Sequence, residues 1–79
     1  MKDIGAVIKF HRKKSGLTQA ELAQRCGLGK TVVFDIENGK STVRLDTLMK
    51  ILEFLNIRME LHSPLMAIYT ENKSTYENR

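Results

Sequence analysis

The chain is 79 residues long and contains one cysteine, one proline and no tryptophan. A domain of this size buries only about 60% of the surface of its unfolded chain, so a partner subunit would add to a thin stability margin. The single cysteine, Cys26, excludes an internal disulfide and a cysteine-cluster metal site, and the lack of a signal-like segment or of an apolar run near the ~20 residues that span a bilayer predicts a soluble cytoplasmic protein.

The net charge of +4 is unevenly distributed along the chain. Residues 1–44 hold nine Lys or Arg against four acidic residues, whereas residues 45–79 hold four against five. A positive field concentrated in one half of a chain is typical of a surface that approaches phosphate groups. The distribution therefore favours a nucleic-acid partner for the first half.

The first predicted helix covers residues 2–15. Three apolar side chains and one histidine fall at the spacing of a single helical face, namely Ile4, Val7, Ile8 and His11. Ser15-Gly16 ends the helix, because glycine readily adopts the left-handed conformation that follows a helix end. We interpret His11 as a packing residue of this face rather than a catalytic group.

Residues 18–39 predict a second and a third helix joined at a glycine. Thr18 and Glu21 form the pattern of a capping box, in which each side chain bonds the other's backbone amide. Gly27 ends the helix that they start, and the third helix covers about residues 29–38. Two short helices hinged in this way form a helix-turn-helix, so the sequence predicts a protein that reads DNA.

None of these helices is long enough to be stable in isolation. They are predicted to pack around a shared core formed by Ile8, Leu17, Leu22, Leu28, Val33 and Ile36. A fourth helix, over residues 45–55, adds an apolar stripe that completes this core, which is Leu45, Leu48, Met49, Leu52 and Leu55. Ile51 and Phe54 lie about 100–150° away on the helical wheel. Because a two-sided helix needs a second surface to bury against, we interpret these two as dimerisation residues.

The pattern changes over residues 57–62 to an alternation of apolar and polar side chains, which predicts a β-strand. A lone strand leaves its backbone groups unpaired. We therefore expect it to pair antiparallel with its twin across a two-fold axis, with Ile57, Met59 and Leu61 at the dimer interface.

A hairpin between this strand and residues 65–70 is the alternative. Pro64 argues against it, because the favoured tight turns need a positive φ that proline cannot adopt. On the first interpretation, residues 1–62 form the DNA-binding domain with its dimerisation strand. Residues 63–79 are then a tail that is predicted to be largely disordered.

Together these elements resemble the Cro/repressor (XRE) helix-turn-helix family. Three segments carry the resemblance, namely IGAVIKFHRKKSGLTQAELAQRCGL, VVFDIENGK and LDTLMKIL. The passage from the fourth helix into NIRMELHSP is also similar to the HipB-type antitoxins of bacterial toxin–antitoxin operons. The resemblance implies an all-α fold, a compact four-helix domain of the lambda-repressor kind, with a C-terminal β-strand that pairs across a dimer.

The resemblance also implies which residues contact DNA. In this family the third helix lies in the major groove, which makes Lys30 and Thr31 the leading base-reading residues, followed by Phe34 and Asp35. A lysine donates to guanine, and a threonine methyl contacts a thymine methyl. Gln19, at the start of the second helix, corresponds to a family glutamine that contacts the DNA backbone or a base edge.

Four further residues take their roles from the same resemblance. Lys40 and Ser41, in the loop after the third helix, are placed for phosphate. Arg12 and Glu37 match an ion pair that braces the motif, so either alanine substitution should destabilise the fold.

Five positions depart from the family pattern. Gly29 replaces the usual serine or threonine cap of the third helix, and Val43-Arg44 replaces a common Pro-Ser. Phe34 stands where a small polar residue is usual, so it contacts either a thymine methyl or a protein. Asp35 brings a negative charge that accepts from cytosine or repels phosphate. These departures affect which DNA is read.

The sequence is therefore interpreted as that of a DNA-binding repressor, not an enzyme, with no cofactor and no metal. His11, Cys26 and His62 have no catalytic or metal-ligand spacing. As a homodimer the protein would bind a palindromic operator, and the resemblance implies an antitoxin that binds a HipA-like kinase toxin and autoregulates its operon. The alternatives are a phage- or host-type repressor without a toxin, and a protein-interaction module that does not bind DNA.

Overall fold

The computed structural model describes residues 2–77, and side chains are described for residues 3–72. This part of the chain forms helices and no strand. The helices are α1 (Lys2–Lys14), α2 (Gln19–Cys26), α3 (Lys30–Glu37), α4 (Leu45–Phe54) and α5 (Met66–Glu77). The all-α class is thereby confirmed, and the first four helices begin and end within about two residues of their predicted bounds. No helix within residues 2–77 has the length and apolar character needed to cross a membrane.

The core lies where α2 packs on α3, α1 on α3 and α2 on α4. Its buried apolar side chains are Ile8, Leu22, Ala23, Val33, Ile36, Leu48, Ile51 and Leu52. Leu17 and Leu28, predicted as core residues, are partly buried and pack against this cluster. Burying one aliphatic side chain of this size stabilises a fold by roughly 1.5–3 kcal/mol. Side chains from α1, α2, α3 and α4 therefore fix the angle between α2 and α3.

Local hydrogen bonds set both ends of α2. The Glu21 amide donates to Thr18 Oγ1 at 3.1 Å, and the Thr18 amide donates to Glu21 Oε1 at 2.9 Å, which is the predicted capping box. At the other end Gly27 has a φ of 70°, and the Leu28 amide donates to the Ala23 carbonyl at 2.8 Å. This left-handed cap turns the chain sharply into α3.

Gly5 permits a close approach that was not predicted from the sequence. A Cβ atom at this position would overlap the carbonyl oxygen of Ile36 and lie 3.0 Å from that of Glu37. The backbone of α1 therefore rests directly on the last turn of α3. Only glycine leaves the space for this contact.

The predicted two-sided character of α4 is wrong in one respect. Ile51 was assigned to a dimer surface, but it is fully buried in the core. The core-facing stripe is Leu48, Ile51, Leu52 and Leu55, an i, i+3, i+4, i+7 pattern. Leu45, assigned to the core, is 66% exposed. Of the second stripe, only Phe54 faces outward, with 41% of its surface exposed.

Residues 57–62, predicted as a strand, have no regular secondary structure in the single chain. Asn56 ends α4 with a φ of 60°, and the Ile57 amide donates to the Leu52 carbonyl at 2.8 Å. Ile57 packs against the core, whereas Met59 and Leu61 are exposed. A strand that pairs with its twin needs a second chain, so this pairing stays a prediction.

A fifth helix, α5, occupies residues for which the sequence predicted disorder, and it also replaces the alternative second strand at 65–70. The Met66 amide donates to the Ser63 carbonyl and the Tyr69 amide to the Leu65 carbonyl, both at 3.1 Å. Pro64 stands before the first helical turn, a place that proline favours. Pro64 therefore does not connect two strands of a hairpin but marks the start of a helix.

Candidate nucleic-acid interface

The two faces of α3 have opposite character. Val33 and Ile36 are almost completely buried, whereas Lys30, Thr31 and Phe34 are exposed. Phe34 has 52% of its surface open to solvent although it is aromatic. The predicted base-reading residues therefore form one continuous outward face, one helical turn in length. A single helix held from behind in this way is the kind of element that the major groove admits.

The start of α2 adds a second group to this face. Gln19 and Lys30 line one shallow groove together with Arg12, Leu17, Thr18 and Ala20. The structure thus brings together the first residues of α2 and α3, the ends at which helix dipoles favour an anion. Gln19 has a structural contact as well, because its Nε2 donates to Glu37 Oε1 at 3.1 Å. The amide nitrogen keeps a second hydrogen for a DNA contact.

Arg12 and Glu37 form the ion pair that was predicted from the resemblance. Arg12 Nε lies 2.6 Å from Glu37 Oε2, and a second guanidinium nitrogen donates to Oε1 at 3.0 Å. Their side chains are 9% and 1% exposed. The remaining Arg12 nitrogen donates to the Leu17 carbonyl at 2.8 Å. The pair therefore ties α1, the α1–α2 connection and α3 together.

The electrostatics of this pair favour its charged form. Burial raises the pKa of Glu37, but hydrogen bonds from Arg12 and Gln19 and the nearby positive charge outweigh burial and lower it. The hydrogen bond to Glu37 raises the pKa of Arg12, against the opposing effect of burial. Two parallel charge-assisted bonds satisfy the buried groups of both side chains.

The loop after α3 contributes a second ion pair. Lys40 Nζ lies 3.4 Å from Asp35 Oδ2, and the Lys40 amide donates to the Asp35 carbonyl at 3.0 Å. Ser41, also predicted to face phosphate, is exposed. Asp35, with Lys40 beside it, lies at the far end of the outward face of α3, one turn beyond Thr31.

Arg44 belongs to the same surface and was not predicted as a contact residue. It lines a cleft with Asp35, Lys40 and Thr47, and it pairs with Asp46 at 3.1 Å. Its side chain is 81% exposed. The sequence does contain a signal for Arg44 as a candidate contact residue, because this basic residue directly precedes α4 and departs from the family pattern.

Two of the residues predicted to mediate dimerisation, Ile57 and Met59, lie on an apolar surface that also includes residues of α1. Ile57 and Met59 line a groove with Ile4, Val7 and Leu52, rimmed by Asp3 and Arg58. Val7, assigned to the packing face of α1, is 43% exposed, and Phe10 is exposed beside it. This surface joins the start of α1 to the segment after α4.

Groups with catalytic potential are dispersed. His11 Nδ1 lies 2.7 Å from the Val7 carbonyl oxygen within α1. Burial raises the pKa of the Cys26 thiol, which keeps it protonated and unreactive at neutral pH. Within the described residues, no three His, Cys, Asp or Glu side chains gather as metal ligands would.

Comparison with known proteins places this geometry in a family. Residues 8–61 match the helix-turn-helix family HTH_3. The chain is 34% identical over 62 residues to the uncharacterized HTH-type transcriptional regulator y4mF of Sinorhizobium fredii, covering 78% of this chain and 82% of that protein. It is 37% identical over 60 residues to the ImmF control region 10 kDa protein of Bacillus phage phi105, covering 76% and 67%.

Two further findings concern antitoxin HipB. The chain is 35% identical over 54 residues to antitoxin HipB of Escherichia coli K12, covering 68% of this chain and 61% of that protein. A structure of a HipA–HipB–O2–O3 complex contains a chain that matches with a TM-score of 0.71 at 30% identity, covering 80% of this chain and 89% of that one. The resemblance to HipB-type proteins is confirmed.

Proposed function

We propose that this chain, which belongs to the HTH_3 helix-turn-helix family, is a dimeric repressor of a palindromic operator. Its family and its relatives identify it as a DNA-binding transcriptional regulator of the XRE type and not as an enzyme. The observation that carries the finer proposal is the outward face of α3, where Lys30, Thr31 and Phe34 are exposed over a fully buried Val33.

On DNA, α3 lies in the major groove with Lys30 and Thr31 nearest the base edges. Lys30 donates to guanine, and the methyl groups of thymine contact Thr31 and the ring of Phe34. A good bidentate contact, such as Lys30 to guanine O6 and N7, discriminates against a wrong base by roughly 1–3 kcal/mol. The buried Arg12–Glu37 pair behind α3 keeps these side chains in register during binding.

Contacts to phosphate come from the ends of this face. Gln19 donates from the start of α2, while Lys40 and Ser41 contact phosphates from the loop after α3. Phosphate contacts fix the position of the protein on the duplex, whereas base contacts specify the sequence. The concentration of positive charge in residues 1–44 attracts DNA before the base contacts form.

The dimer forms through residues 57–62 and Phe54. Strands 57–62 of two copies pair antiparallel, which satisfies their backbone groups and buries Met59 and Leu61. The two-fold axis places the two α3 helices about 34–36 Å apart or at a multiple of that distance, as successive major grooves on one side of a duplex require. Leu61→Asp should therefore separate the dimer in sedimentation, and Arg58→Asp, at an exposed position in the same segment, should do so less.

As an antitoxin the protein would also bind a HipA-like kinase toxin and autoregulate the operon that encodes both. The identity with antitoxin HipB and the HipA–HipB structure support this proposal. The relative from the ImmF control region of phage phi105 supports the alternative of a phage-type repressor without a toxin. Copurification of the untagged neighbouring gene product with this protein would support the antitoxin role. A genome without such a neighbour would contradict it and favour the repressor without a toxin.

Binding to duplex DNA tests the repressor function directly. The protein should enrich one palindromic sequence from a pool of random 30-base-pair duplexes at low salt. Its affinity should then fall steeply as salt rises, because each neutralised phosphate releases condensed counterions. Lys30→Ala should reduce affinity for the selected sequence more than for random DNA. If no duplex is bound at low salt, the chain is a protein-interaction module.

A further inference from the structure

Asp35 is the acidic residue on the outward face of α3, and it forms an ion pair with Lys40. Asp35 follows Thr31 by one helical turn, so the two side chains are neighbours on the same face. The Asp35 side chain is 33% exposed, and Lys40 Nζ lies 3.4 Å from Oδ2. A negative charge thus lies on the face that is proposed to read DNA, with a positive charge beside it.

Lys40 is held to Asp35 at two points. Its amide donates to the Asp35 carbonyl at 3.0 Å, because Gly39, with a φ of 86°, turns the chain back after α3. Its side chain then reaches the carboxylate of the same residue. The loop therefore restricts the lysine to the neighbourhood of Asp35, and the contact engages only one of the two carboxylate oxygens.

We propose that Asp35 and Lys40 act as one specificity device, in which Asp35 selects a cytosine and Lys40 is its positioning residue. The proposal rests on DNA binding through α3 and names the base read at one position. An ionised carboxylate only accepts hydrogen bonds. In the major groove the amino groups of cytosine and adenine donate, whereas guanine and thymine present acceptors at the corresponding edges.

Lys40 makes this contact possible in the field of two phosphate strands. An unpaired carboxylate in the groove would be repelled by phosphates whatever the sequence. The lysine cancels that charge through Oδ2 and leaves Oδ1 to accept from the cytosine amino group. Adenine, whose acceptor N7 lies beside its amino group, is the second choice, and guanine is excluded.

The test uses the full-length protein and the sequence that it selects from random 30-base-pair duplexes. Each position of the half-site is then replaced by all four bases, and binding is measured by fluorescence anisotropy. The wild-type protein should prefer cytosine over guanine by about tenfold at one position, in the lower part of the range for a good base contact. Asp35→Ala should bind all four bases equally at that position and leave the preferences at the other positions unchanged.

Two further variants distinguish a direct contact from a general effect of charge. Asp35→Asn should shift the preference from cytosine to adenine, because an amide both donates and accepts and pairs with adenine N6 and N7. Lys40→Met should weaken binding to all sequences, because Lys40 also contacts phosphate, and should in addition reduce the cytosine preference at the same position although Lys40 contacts no base. Arg44→Met is the matched control, since it removes a positive charge from the same cleft and should weaken binding to all sequences alike.

The outcomes separate this proposal from the proposed function. If the wild-type protein selects a sequence and the Asp35→Ala and Asp35→Asn variants keep its four-base preferences, the specificity device is refuted and DNA reading by α3 stands. If Lys40→Met behaves like Arg44→Met, the positioning role of Lys40 is refuted. Failure of the wild-type protein to bind any duplex refutes the proposed function itself. Circular dichroism on each variant checks that the substitution leaves the fold intact.

Discussion

The region from α1 to α4 has a buried apolar core, whereas large apolar side chains in the region of α5 are exposed. In the first region Ile8, Val33 and Ile51 are fully buried, and a buried ion pair joins α1 to α3. In the second, Leu65, Ile68 and Tyr69 are 69%, 56% and 52% exposed. Helix α5 is also absent from the principal helix–helix contacts of the fold. A helix of 12 residues that makes none of the principal helix–helix contacts within residues 2–77 is marginal in water, so the stability of the single chain resides mainly in α1–α4.

The largest expected effect of one substitution lies at the ion pair. Glu37→Ala leaves the buried guanidinium of Arg12 without its partner, which should cost about 3–5 kcal/mol. Urea unfolding followed by circular dichroism measures the loss. The Arg12→Ala, Glu37→Ala double-mutant cycle should show strong coupling, and additive effects of the two substitutions would contradict a bracing role.

A slightly smaller loss is expected at Ile51, the residue that the sequence had assigned to a dimer. Ile51→Ala removes a fully buried side chain from the core and should cost about 2–5 kcal/mol. Phe54→Ala, three residues along the same helix, should change the unfolding free energy of the monomer much less because its ring is exposed. Equal losses at both positions would place Phe54 in a buried environment and break the contrast between the two faces of α4.

The stability of the α1–α4 region should also depend on pH. The folded pKa of Glu37 is lowered, because the bonds from Arg12 and Gln19 outweigh burial. A carboxyl with a lowered pKa contributes stability that is present above its unfolded pKa and lost as the pH falls through the folded value. Unfolding free energy should therefore decrease on acidification. The Glu37→Gln variant should show a flatter profile than the Glu21→Gln variant, whose capping carboxyl is exposed.

A change of about 1 kcal/mol is expected at the start of α2. Thr18→Ala removes the oxygen that accepts from the Glu21 amide, and the loss of such a cap typically costs this amount. Thr18→Ser keeps the oxygen and serves as the control. If the alanine and serine variants unfold at the same urea concentration, the capping box contributes nothing to the folded state.

Helix bounds and the capping box could be predicted from the sequence because their signals are local. Thr18, Glu21 and Gly27 act within a few residues of their own positions. Gly5 could not be found in this way, because its role depends on the distance between α1 and the end of α3. Ile51 was misassigned for a related reason, since a helical wheel gives angles between side chains but not which arc meets the core.

The residues of the candidate interface also fall into those that the sequence could predict and those that depend on the three-dimensional structure. Lys30 and Thr31 follow from the resemblance to the family, because in that family the first turn of the third helix faces the major groove. The pairing of Asp35 with Lys40 depends on the turn at Gly39, and the spacing of the two residues in the sequence does not predict it. Helix α5 was missed because a proline such as Pro64 can stand either in the loop of a hairpin or just before a helix. Only the hydrogen bonds around Ser63 decide between the two.

The smallest effect is expected in α5, and it tests the contrast between the two regions most directly. Ile68→Ser replaces an exposed apolar side chain in a helix without support from the core, so the unfolding free energy at low protein concentration should stay within about 0.5 kcal/mol of the wild-type value. The measurement is repeated at a hundredfold higher concentration, because a dimer that buried this face would make stability rise with concentration in the wild-type protein. An effect of Ile68→Ser only at high concentration would assign α5 to an interface between subunits. A large effect at both concentrations would show that α5 packs on its own chain and that the division of the molecule into a stable and an unsupported region is wrong.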